Sequence, residues 1–393
     1  MAKKFRVYRM STYNAFAVLG ANTTLRFLLL CFVYACAPAV FAAPLSSEVL
    51  NWKIHQTPVG QTVYVLEINP QHTRIVAVHA DNQLPGRQTL SQMAKFHGAL
   101  AGINGGFFRF NLYQNGFPAG VLKIGENWYG VSYRSRGAIG WGQHKPAAID
   151  RIETKTTLTL DGYRMPIHYL NPSISPSAQR GGLFYPVFGD NILSVPAQHT
   201  ACLFTKQRIV QRFSSLKENQ TIQLPQGHYL YIGPENTLLD KACIPDAPVT
   251  LNIAIKTFKS AQENTTSNTP RAWEQFEFIV GGAPLLIKNY QIVRDYDAEK
   301  LTNDFVKQLH ARSAIGLLEN GNWLLVVADQ NLWNKDIGMT LPELARFLKT
   351  LGCKHALNLD GGISSGLYFN DKLINQPWFE REIGDAILVL PKA

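Results

Sequence analysis

Short runs in which apolar and polar residues alternate recur along most of the chain. Residues 62–68 and 74–79 are rich in β-branched side chains and alternate as strands with one buried face do. Residues 120–125 and 276–282 are similar short apolar runs bounded by glycine. This pattern predicts a chain built mainly of short strands.

Two helices are predicted within this strand pattern. The first begins after Thr89, whose side chain can form a capping box with Gln92. The second, over residues 341–351, follows Thr340 with the same cap and a proline in its first turn. A glycine follows each helix and can end it. The apolar side of the first helix is formed by Leu90, Met93 and Phe96.

The segments that begin these helices resemble each other. Residues 89–96 and 340–347 agree in residue type at seven of eight positions, and each is followed by an apolar strand and a Gly-Gly turn. Asn104 and Asp360 therefore occupy matching places. We predict an internal repeat of helix, strand and Gly-Gly turn that brings the two turns together. The alternative is a coincidence of two common local motifs.

The first 42 residues have the composition of an export signal. They contain five basic residues and no acidic residue, and an apolar run over residues 27–34 precedes small residues at 39–43. We predict a signal peptide over residues 1–42 and a mature catalytic domain over residues 43–393, periplasmic or secreted, with no stable membrane span after cleavage. An N-terminal membrane anchor and a lipoprotein acylated at Cys36 are the alternatives.

Composition and charge narrow the class of protein. With 46% hydrophobic and 17% charged residues, the chain can bury the core of a globular enzyme. The net charge of +10 falls to +5 without the five basic residues of the leader. Because no basic stripe interleaved with aromatic residues accompanies this mild charge, we predict no nucleic-acid partner.

Cysteine and proline placement concern the middle of the chain. No Cys-x-x-Cys pair is present, so no structural zinc site is predicted, and Cys202 and Cys243 could form a disulfide in an exported protein. Cys353, just past the second helix, is expected to be a buried free thiol. Several prolines punctuate residues 152–270, and we predict an inserted lobe there.

The two Gly-Gly turns are the main candidates for chemistry. Asp360-Gly361-Gly362 follows a strand, and a glycine turn can aim backbone N–H groups at an anion, with Ser364 and Ser365 adding hydroxyl donors. Asn104-Gly105-Gly106 adds an amide and a second glycine pair. Phe107 and Phe108 could stack on a sugar ring or fill the core. The competing interpretation of the Asp360 segment is a tight hairpin with a capping aspartate.

Two further signals are weaker. Arg312, at the start of a strand, could fork onto a phosphate, although a lone arginine is more often a solvated surface charge. Residues 362–366 fit the Gly-x-Ser-x-Gly pattern of a serine nucleophile at Ser364. A strand rather than a helix is predicted after it, and no histidine follows His355, so a serine hydrolase is the lesser alternative.

These motifs together resemble the phosphodiester glycosidase family. The resemblance rests on residues 104–108, 281–286, 312–316 and 338–365, and extends over roughly residues 60–390. It implies an α+β fold with a mixed, mostly antiparallel β-sheet and a few helices. It also implies hydrolysis of a sugar-1-phosphodiester in an extracellular or cell-envelope glycan such as an exopolysaccharide. Ile363 stands where the family usually has a third glycine, and Gln330 where it often has glycine after aspartate.

The resemblance and the residue chemistry together suggest roles. Asp360 would activate water or attack the anomeric carbon, Arg312 and the glycine amides would hold the phosphate, and Asn104 would orient the substrate. A non-catalytic binder of phosphorylated glycans is the alternative. We predict no cofactor, with a divalent cation at Asp329 and Asp360 left open. The remaining predicted substrate-binding residues are Gly105, Gly106, Phe107, Phe108, Gly281, Gly282, Ser313, Gly361, Gly362, Ser364 and Ser365.

Overall fold

Strands form most of the chain, as the alternating pattern predicted. The computed structural model describes residues 49–58, 60–110, 115–143, 145–171, 181–187, 192–213, 220–235, 237–258, 273–329, 338–375 and 380–392. Leu45–Ala393 form one unit. The predicted signal peptide lies outside the described residues. No helix in the described ranges is both long and apolar enough to cross a membrane.

The strands are mostly short. In chain order, they are β1 (Leu50–Gln56), β2 (Thr62–Ile68), β3 (Thr73–His79), β4 (Gln88–Thr89), β5 (Ala101–Asn104), β6 (Leu122–Ile124), β7 (Asn127–Gly130), β8 (Arg136–Gly142), β9 (Lys145–Leu160), β10 (Tyr163–Met165), β11 (Tyr169–Leu170), β12 (Gly182–Phe184), β13 (Ile192–Val195) and β14 (His199–Phe204). They continue with β15 (Ile209–Phe213), β16 (Gln220–Gln223), β17 (Tyr229–Pro234), β18 (Val249–Phe258), β19 (Phe278–Gly281), β20 (Leu285–Lys288), β21 (Gln291–Ile292), β22 (Arg312–Leu317), β23 (Trp323–Ala328), β24 (His355–Asn358), β25 (Leu367–Phe369), β26 (Lys372–Leu373), β27 (Glu382–Ile383) and β28 (Asp385–Pro391).

The helices are short, and both predicted ones are present. They are α1 (Leu90–Phe96), α2 (Thr237–Ala242), α3 (Asn303–Lys307) and α4 (Leu341–Thr350), with single 3-10 turns at Ala80–Asn82, Trp273–Gln275, Asp297–Glu299 and Gly362–Ser364. The capping boxes at Thr89 and Thr340 are both formed. Phe96 is a correction: it lies at the end of a two-turn helix and is 78% exposed, whereas Leu90 and Met93 are buried.

A seven-stranded sheet, in the order β1-β2-β23-β22-β24-β20-β21, forms one layer of the molecule. Both of its faces are covered, as β23 shows. Alternate residues of this strand point to opposite sides of the sheet and are buried on both. Leu324 and Val326 pack with α4, while Leu325 and Val327 join the main core. This burial on two sides accounts for the unbroken apolar run of β23.

A second sheet has five strands in the order β26-β25-β5-β28-β3. Within it β28 lies between β5 and β3, with Ala386 opposite Asn104 and Asp385 opposite His79. A third sheet runs β10-β9-β8-β19-β6-β7, with β18 paired to β9. All of these pairs are antiparallel.

The middle of the chain forms a separate five-stranded sheet, β11-β12-β17-β14-β15, and a two-stranded sheet of β13 and β16. The β11 and β12 strands pair in parallel. The Cys202–Cys243 disulfide joins β14 to the end of α2, and Cys353 is a buried free thiol. The mostly antiparallel sheets and few helices agree with the expected fold. The inserted lobe at residues 152–270 and the internal repeat stay predictions.

Candidate functional site

The two glycine turns lie against each other. We name residues 104–106 the Asn104 turn and residues 360–362 the Asp360 turn. The Asn104 side-chain Nδ2 donates to the Asp360 carbonyl oxygen at 2.8 Å, and the Asp360 N–H donates to the Gly105 carbonyl oxygen at 3.2 Å. The structure therefore brings together two segments that are 256 residues apart in the chain.

Asn104 braces this contact from inside the protein. Its side chain is 1% exposed, and its Oδ1 accepts hydrogen bonds from the Ser313 hydroxyl at 2.7 Å and from the Gly366 N–H at 3.1 Å. Because its Nδ2 already donates to Asp360, both ends of the amide are engaged within the protein. Asn104 and Ser313 thus link the two turns through internal hydrogen bonds, and their predicted substrate contacts stay predictions.

The four glycine N–H groups of the two turns are likewise engaged. The Gly105 N–H donates to the Asp385 carbonyl oxygen and the Gly106 N–H to Asp385 Oδ1, each at 2.9 Å. The Gly361 N–H donates to Asp360 Oδ1 at 2.9 Å, and the Gly362 N–H to the Ala311 carbonyl oxygen at 2.8 Å. These amides therefore hold protein oxygens in the structure, and the anion nest stays a prediction.

Close approach explains why glycine occupies several of these positions. A Cβ atom on Gly105 would lie 1.9 Å from Asp385 Oδ1, and one on Gly282 would lie 2.3 Å from the Asn358 carbonyl oxygen. Gly281 and Gly282 are buried and donate to the Val121 and Gly137 carbonyl oxygens. These two glycines therefore allow close packing against neighbouring backbone, and their predicted substrate contact stays a prediction.

Arg312 is a buried tie rather than an open anion site. Its side chain is 2% exposed, its Nε donates to the Met339 carbonyl oxygen at 2.8 Å, and its Nη2 donates to the carbonyl oxygens of Phe305 and Gln308. Burial lowers the pKa of Arg312 to about 10. Arg312 Nε and Nη2 are thus committed to backbone carbonyl oxygens, and the predicted phosphate contact of Arg312 stays a prediction.

Asp360 carries an ionisable group whose pKa is raised. Burial raises the pKa of the Asp360 carboxyl to about 6, while hydrogen bonds from Ser364 and the Gly361 N–H, and the charge of Arg381, act in the opposite direction. A carboxyl with a pKa in this range can exchange a proton near neutral pH. The Asp360 turn continues into the 3-10 turn Gly362–Ser364, where Gly362 has a φ of 62°.

Two residues absent from the sequence-based site lie at the same place. Arg381 is partly exposed, its Nη1 donates to Ser364 Oγ at 3.4 Å, and its guanidinium lies 5.4 Å from the Phe108 ring centroid. Asp385 is 2% exposed. Burial raises the pKa of Asp385 to about 7, with the charge of Asp360 adding to this and the Gly106 N–H opposing it. Their signal in the sequence is slight: Arg381 directly precedes the short strand β27, and Asp385 is the first residue of the last apolar strand, β28.

The remaining predicted residues surround this group. Phe107 is half-buried and pairs with Phe305 at 5.9 Å between ring centroids. Phe108 is half-buried and bridges to Pro118. Ser364 is buried between Asp360 and Arg381. The Ser365 hydroxyl is buried and has no hydrogen-bond partner among the described residues.

Asp329 is a third carboxyl whose pKa is displaced upward. Burial raises the pKa of Asp329 to about 7, against hydrogen bonds from Asn375 and Tyr64. Asn375 Nδ2 also donates to the Ser365 carbonyl oxygen at 2.9 Å, which links Asp329 to the segment after the Asp360 turn. Within the described ranges, no group of three or more His, Cys, Asp or Glu side chains is arranged to hold a metal ion.

Comparison with solved structures identifies shared folds. A hypothetical protein from Synechocystis superposes with a TM-score of 0.70 at 24% identity, covering 88% of this chain and 62% of that one. A candidate exported protein from Burkholderia pseudomallei K96243 gives a TM-score of 0.67 at 19% identity, covering 84% and 74%. This chain spans less than two thirds of the Synechocystis protein. Both likenesses concern the fold alone.

A third structure and the sequence comparisons concern the family. The catalytic domain of zebrafish N-acetylglucosamine-1-phosphodiester alpha-N-acetylglucosaminidase gives a TM-score of 0.39 at 14% identity, covering 87% of this chain and 82% of that one. A search of curated proteins finds no match. Residues 212–390 match the family described as phosphodiester glycosidase. This segment contains Asp360, Arg381 and Asp385, and its match confirms that the chain resembles the phosphodiester glycosidases.

Proposed function

We propose that this protein is an exported hydrolase that cleaves a sugar-1-phosphodiester between the anomeric carbon and the phosphate oxygen. The match of residues 212–390 supports a glycosidase-type hydrolase. The observation that carries the proposal is the pairing of the Asp360 carboxyl, whose pKa is raised to about 6, with the partly exposed Arg381 guanidinium beside it. One group handles a proton near neutral pH, and the other offers positive charge to a phosphate.

Asp360 acts as the base in this proposal. With a pKa of about 6 its carboxyl is mostly ionised at pH 7 and accepts a proton from a water molecule. The water oxygen forms a bond to the anomeric carbon as the bond from that carbon to the phosphate oxygen breaks. The bonding electron pair leaves with the phosphate monoester. Direct attack by the carboxylate, followed by hydrolysis of the glycosyl ester, is the alternative order of steps.

The leaving group accounts for the presence of a cation. A phosphate monoester is a stable anion, so cleavage depends less on a strong general acid than on holding negative charge. Arg381 fits this task because its guanidinium is partly exposed and adjoins Ser364, which hydrogen-bonds to Asp360. The internal contacts of Arg312 leave Arg381 as the better candidate for phosphate.

The Asn104 turn and Asp385 act as positioning groups. The Asp360 N–H is held by the Gly105 carbonyl oxygen, and the Gly105 and Gly106 N–H groups are held by Asp385. Such backbone contacts fix the Asp360 carboxyl before substrate binds, which is the condition for efficient catalysis by a charged group.

Export forms the second part of the proposal. The basic and apolar leader over residues 1–42 supports it, as does the Cys202–Cys243 disulfide, because disulfides persist in oxidising compartments. A structural neighbour is described as a candidate exported protein. Fractionation of producing cells and N-terminal sequencing of the product provide the test. A cytoplasmic protein that retains residues 1–42 contradicts this part.

Hydrolysis is tested with purified protein lacking residues 1–42 and a panel of synthetic sugar-1-phosphodiesters, with and without a chelator. Asp360→Asn is expected to lower kcat by about 10²–10⁴-fold, the usual contribution of a general base. Arg381→Ala is expected to lower kcat/KM by about 10–100-fold, from the loss of charge-assisted hydrogen bonds. Arg208→Ala removes an exposed arginine paired with Asp246 and serves as the control.

Each result has a definite meaning. Near wild-type hydrolysis by both Asp360→Asn and Arg381→Ala contradicts the proposed roles. Tight binding of the panel by wild type, without product, favours the glycan-binding alternative. Chelator sensitivity contradicts a mechanism that needs no metal.

A further inference from the structure

A surface feature beside the site extends from Arg381 to two residues that the proposed reaction does not use. Phe110 is 60% exposed, and two guanidinium groups lie over its ring: that of Arg87 at 4.4 Å and that of Arg381 at 5.1 Å from the centroid. We name Phe110, Arg87 and Arg381 the Phe110 platform. An exposed phenyl ring flanked by two cations can stack on a sugar and bind an anion beside it.

The platform is held by three segments tied to one another. β4 begins directly after Arg87, β27 begins directly after Arg381, and these two strands pair with each other. Arg87 also forms an ion pair with Glu382 at 3.3 Å. The Glu380 carboxylate accepts a hydrogen bond from the Ser91 N–H in the first turn of α1, which anchors the residue before Arg381.

The third segment carries the phenyl ring. Arg109, next to Phe110, donates its N–H to the Phe117 carbonyl oxygen at 2.8 Å, and the Gly86 N–H, next to Arg87, donates to the Asn115 carbonyl oxygen at 3.3 Å. The segments of Phe110 and Arg87 are therefore joined by backbone hydrogen bonds. Such ties preorganise a subsite, because less conformational freedom is lost when a ligand binds.

The order of groups gives the platform a direction. Arg381 reaches Ser364, and hence Asp360, on one side and the Phe110 ring on the other. If Asp360 faces the anomeric carbon and Arg381 the phosphate, the next part of the substrate is the alcohol side of the diester. That part extends toward Phe110 and then Arg87.

The charges indicate what this part of the substrate carries. A guanidinium stacked on a ring keeps its in-plane N–H donors available for a carboxylate or phosphate. Arg87 is paired with Glu382, whose side chain is 51% exposed, and solvent weakens an ion pair at such a position. A sugar ring on Phe110 has substituents on both sides, so it can present one anionic group to Arg381 and a second to Arg87.

We infer that the Phe110 platform binds an anionic sugar on the alcohol side of the scissile phosphodiester, so that the substrate is a glycan with a further phosphate or carboxylate one sugar away. This inference rests on the proposed function, because Arg381 is the point at which the platform meets the catalytic group. It adds the class of the alcohol that is esterified to the departing phosphate, which the family resemblance does not specify.

The test compares four sugar-1-phosphodiesters in which the sugar joined to phosphate through its anomeric carbon is the same. Their alcohol parts are methyl, a neutral hexose, the same hexose with a phosphate, and the same hexose with a carboxylate. Wild-type kcat/KM is expected to be about tenfold higher for the anionic hexoses than for the neutral hexose, mainly through KM, as one charge-assisted hydrogen bond provides. The preference is expected to decrease in high salt. The phosphate and carboxylate compounds distinguish the two sources of charge.

Two variants separate stacking from charge. Arg87→Gln is expected to remove the preference for anionic hexoses and to leave kcat/KM for the methyl phosphodiester unchanged. Phe110→Ala is expected to lower kcat/KM about fivefold to tenfold for all three hexose compounds and not for the methyl compound. The matched controls are Arg208→Gln, at another exposed arginine–aspartate pair, and Lys256→Ala, at a second cation–ring pair with Phe258. Thermal unfolding checks that every variant is folded.

The outcomes distinguish the inference from the proposed function. Equal wild-type kcat/KM for neutral and anionic hexoses overturns the inference, as does a preference that survives in Arg87→Gln. If wild type hydrolyses none of the four compounds, the proposed function fails. Calorimetric binding of the anionic and neutral hexose compounds to wild type and Arg87→Gln then decides the inference by itself, because equal affinities overturn it and a loss confined to the anionic compounds supports it.

Discussion

Gly105→Ala tests whether the packing of the Asn104 turn on Asp385 is as tight as the structure indicates. A Cβ at this position would lie 1.9 Å from Asp385 Oδ1, 2.8 Å from Asp385 Cγ and 2.9 Å from the Asp385 carbonyl oxygen. Two of these atoms belong to a side chain that is 2% exposed, and the third belongs to the backbone. The methyl group cannot be accommodated unless Asp385 moves.

The cost can be worked from the contacts that are lost. Inserting a methyl group into a well-packed interior costs roughly 1–3 kcal/mol. Moving the Asp385 carboxyl also breaks its hydrogen bond from the Gly106 N–H, and a bond to a charged group contributes about 1.5–3 kcal/mol. We expect Gly105→Ala to lower the free energy of unfolding by about 2.5–6 kcal/mol.

Gly120→Ala is the matched control. No atom lies within 4 Å of a Cβ on Gly120, and its φ is outside the left-handed region. Alanine at such a position is expected to stabilise the protein by about 0.4–1 kcal/mol through the unfolded chain. Urea unfolding of both variants, followed by fluorescence of the buried tryptophans, gives the two free energies.

A double variant locates the clash. Asp385→Ala removes both side-chain atoms that the new methyl group meets, so Gly105→Ala is expected to be less damaging in that background. The reasoning is refuted if Gly105→Ala and Gly120→Ala have the same stability within about 0.5 kcal/mol. It is also refuted if the two changes at residues 105 and 385 are simply additive.

Asp385, Asp360 and Arg312 each give a further prediction. Burial raises the pKa of Asp385 to about 7 from an ordinary value near 4, so between these two pH values the folded state binds more protons than the unfolded state. The free energy of unfolding is therefore expected to fall as pH rises through this range, by at most about 4 kcal/mol. Asp385→Asn should flatten this slope in urea unfolding between pH 5 and pH 8, and an unchanged slope contradicts the assignment. The acid limb of the pH profile of kcat/KM is expected near pH 6, the raised pKa of Asp360, and a limb near pH 4 refutes its role as base. Arg312→Lys is expected to cost about 2–4 kcal/mol because the carbonyl oxygens of Met339, Phe305 and Gln308 lose a fixed guanidinium, whereas exposed Arg208→Lys should cost nothing measurable.

The features that sequence patterns predicted correctly are local ones. The capping boxes at Thr89 and Thr340 need only residues three positions apart, and the strand patterns at β2 and β3 need only their own alternation. The matching places of Asn104 and Asp360 led to the prediction that two distant turns meet, which agrees with the hydrogen bond between them. These predictions required no knowledge of burial.

The residues whose hydrogen-bond partners could not be predicted from sequence depend on distant segments. Arg312 was expected at a phosphate, but its donors meet carbonyl oxygens supplied by α3 and by Met339. The glycine amides were expected to face a ligand, but Asp385, 279 residues after Gly106, accepts from them. Neither composition nor spacing indicates which oxygen accepts hydrogen bonds from the N–H groups of a glycine turn. For the Asn104 turn this acceptor is Asp385, and it is placed there by the pairing of β28 with β5.

Arg381 was missed for a related reason. It stands outside the glycine turns and has no distinctive neighbours in the sequence. Its importance comes from the pairing of β27 with β4, which carries it to the Ser364 hydroxyl. Its signal in the sequence is only that it is a charged residue directly before the short strand β27.

If Asp360 acts as proposed, the pairing of β28 with β5 makes strand alignment part of the reaction apparatus. Ala386 lies opposite Asn104, which leaves Asp385 beneath the backbone that steadies Asp360. A slip of one position would turn the Asp385 side chain to the opposite face of the sheet and withdraw support from the catalytic carboxyl. Substitutions far along β28, with no substrate contact at all, are therefore expected to silence the protein whenever they shift that alignment.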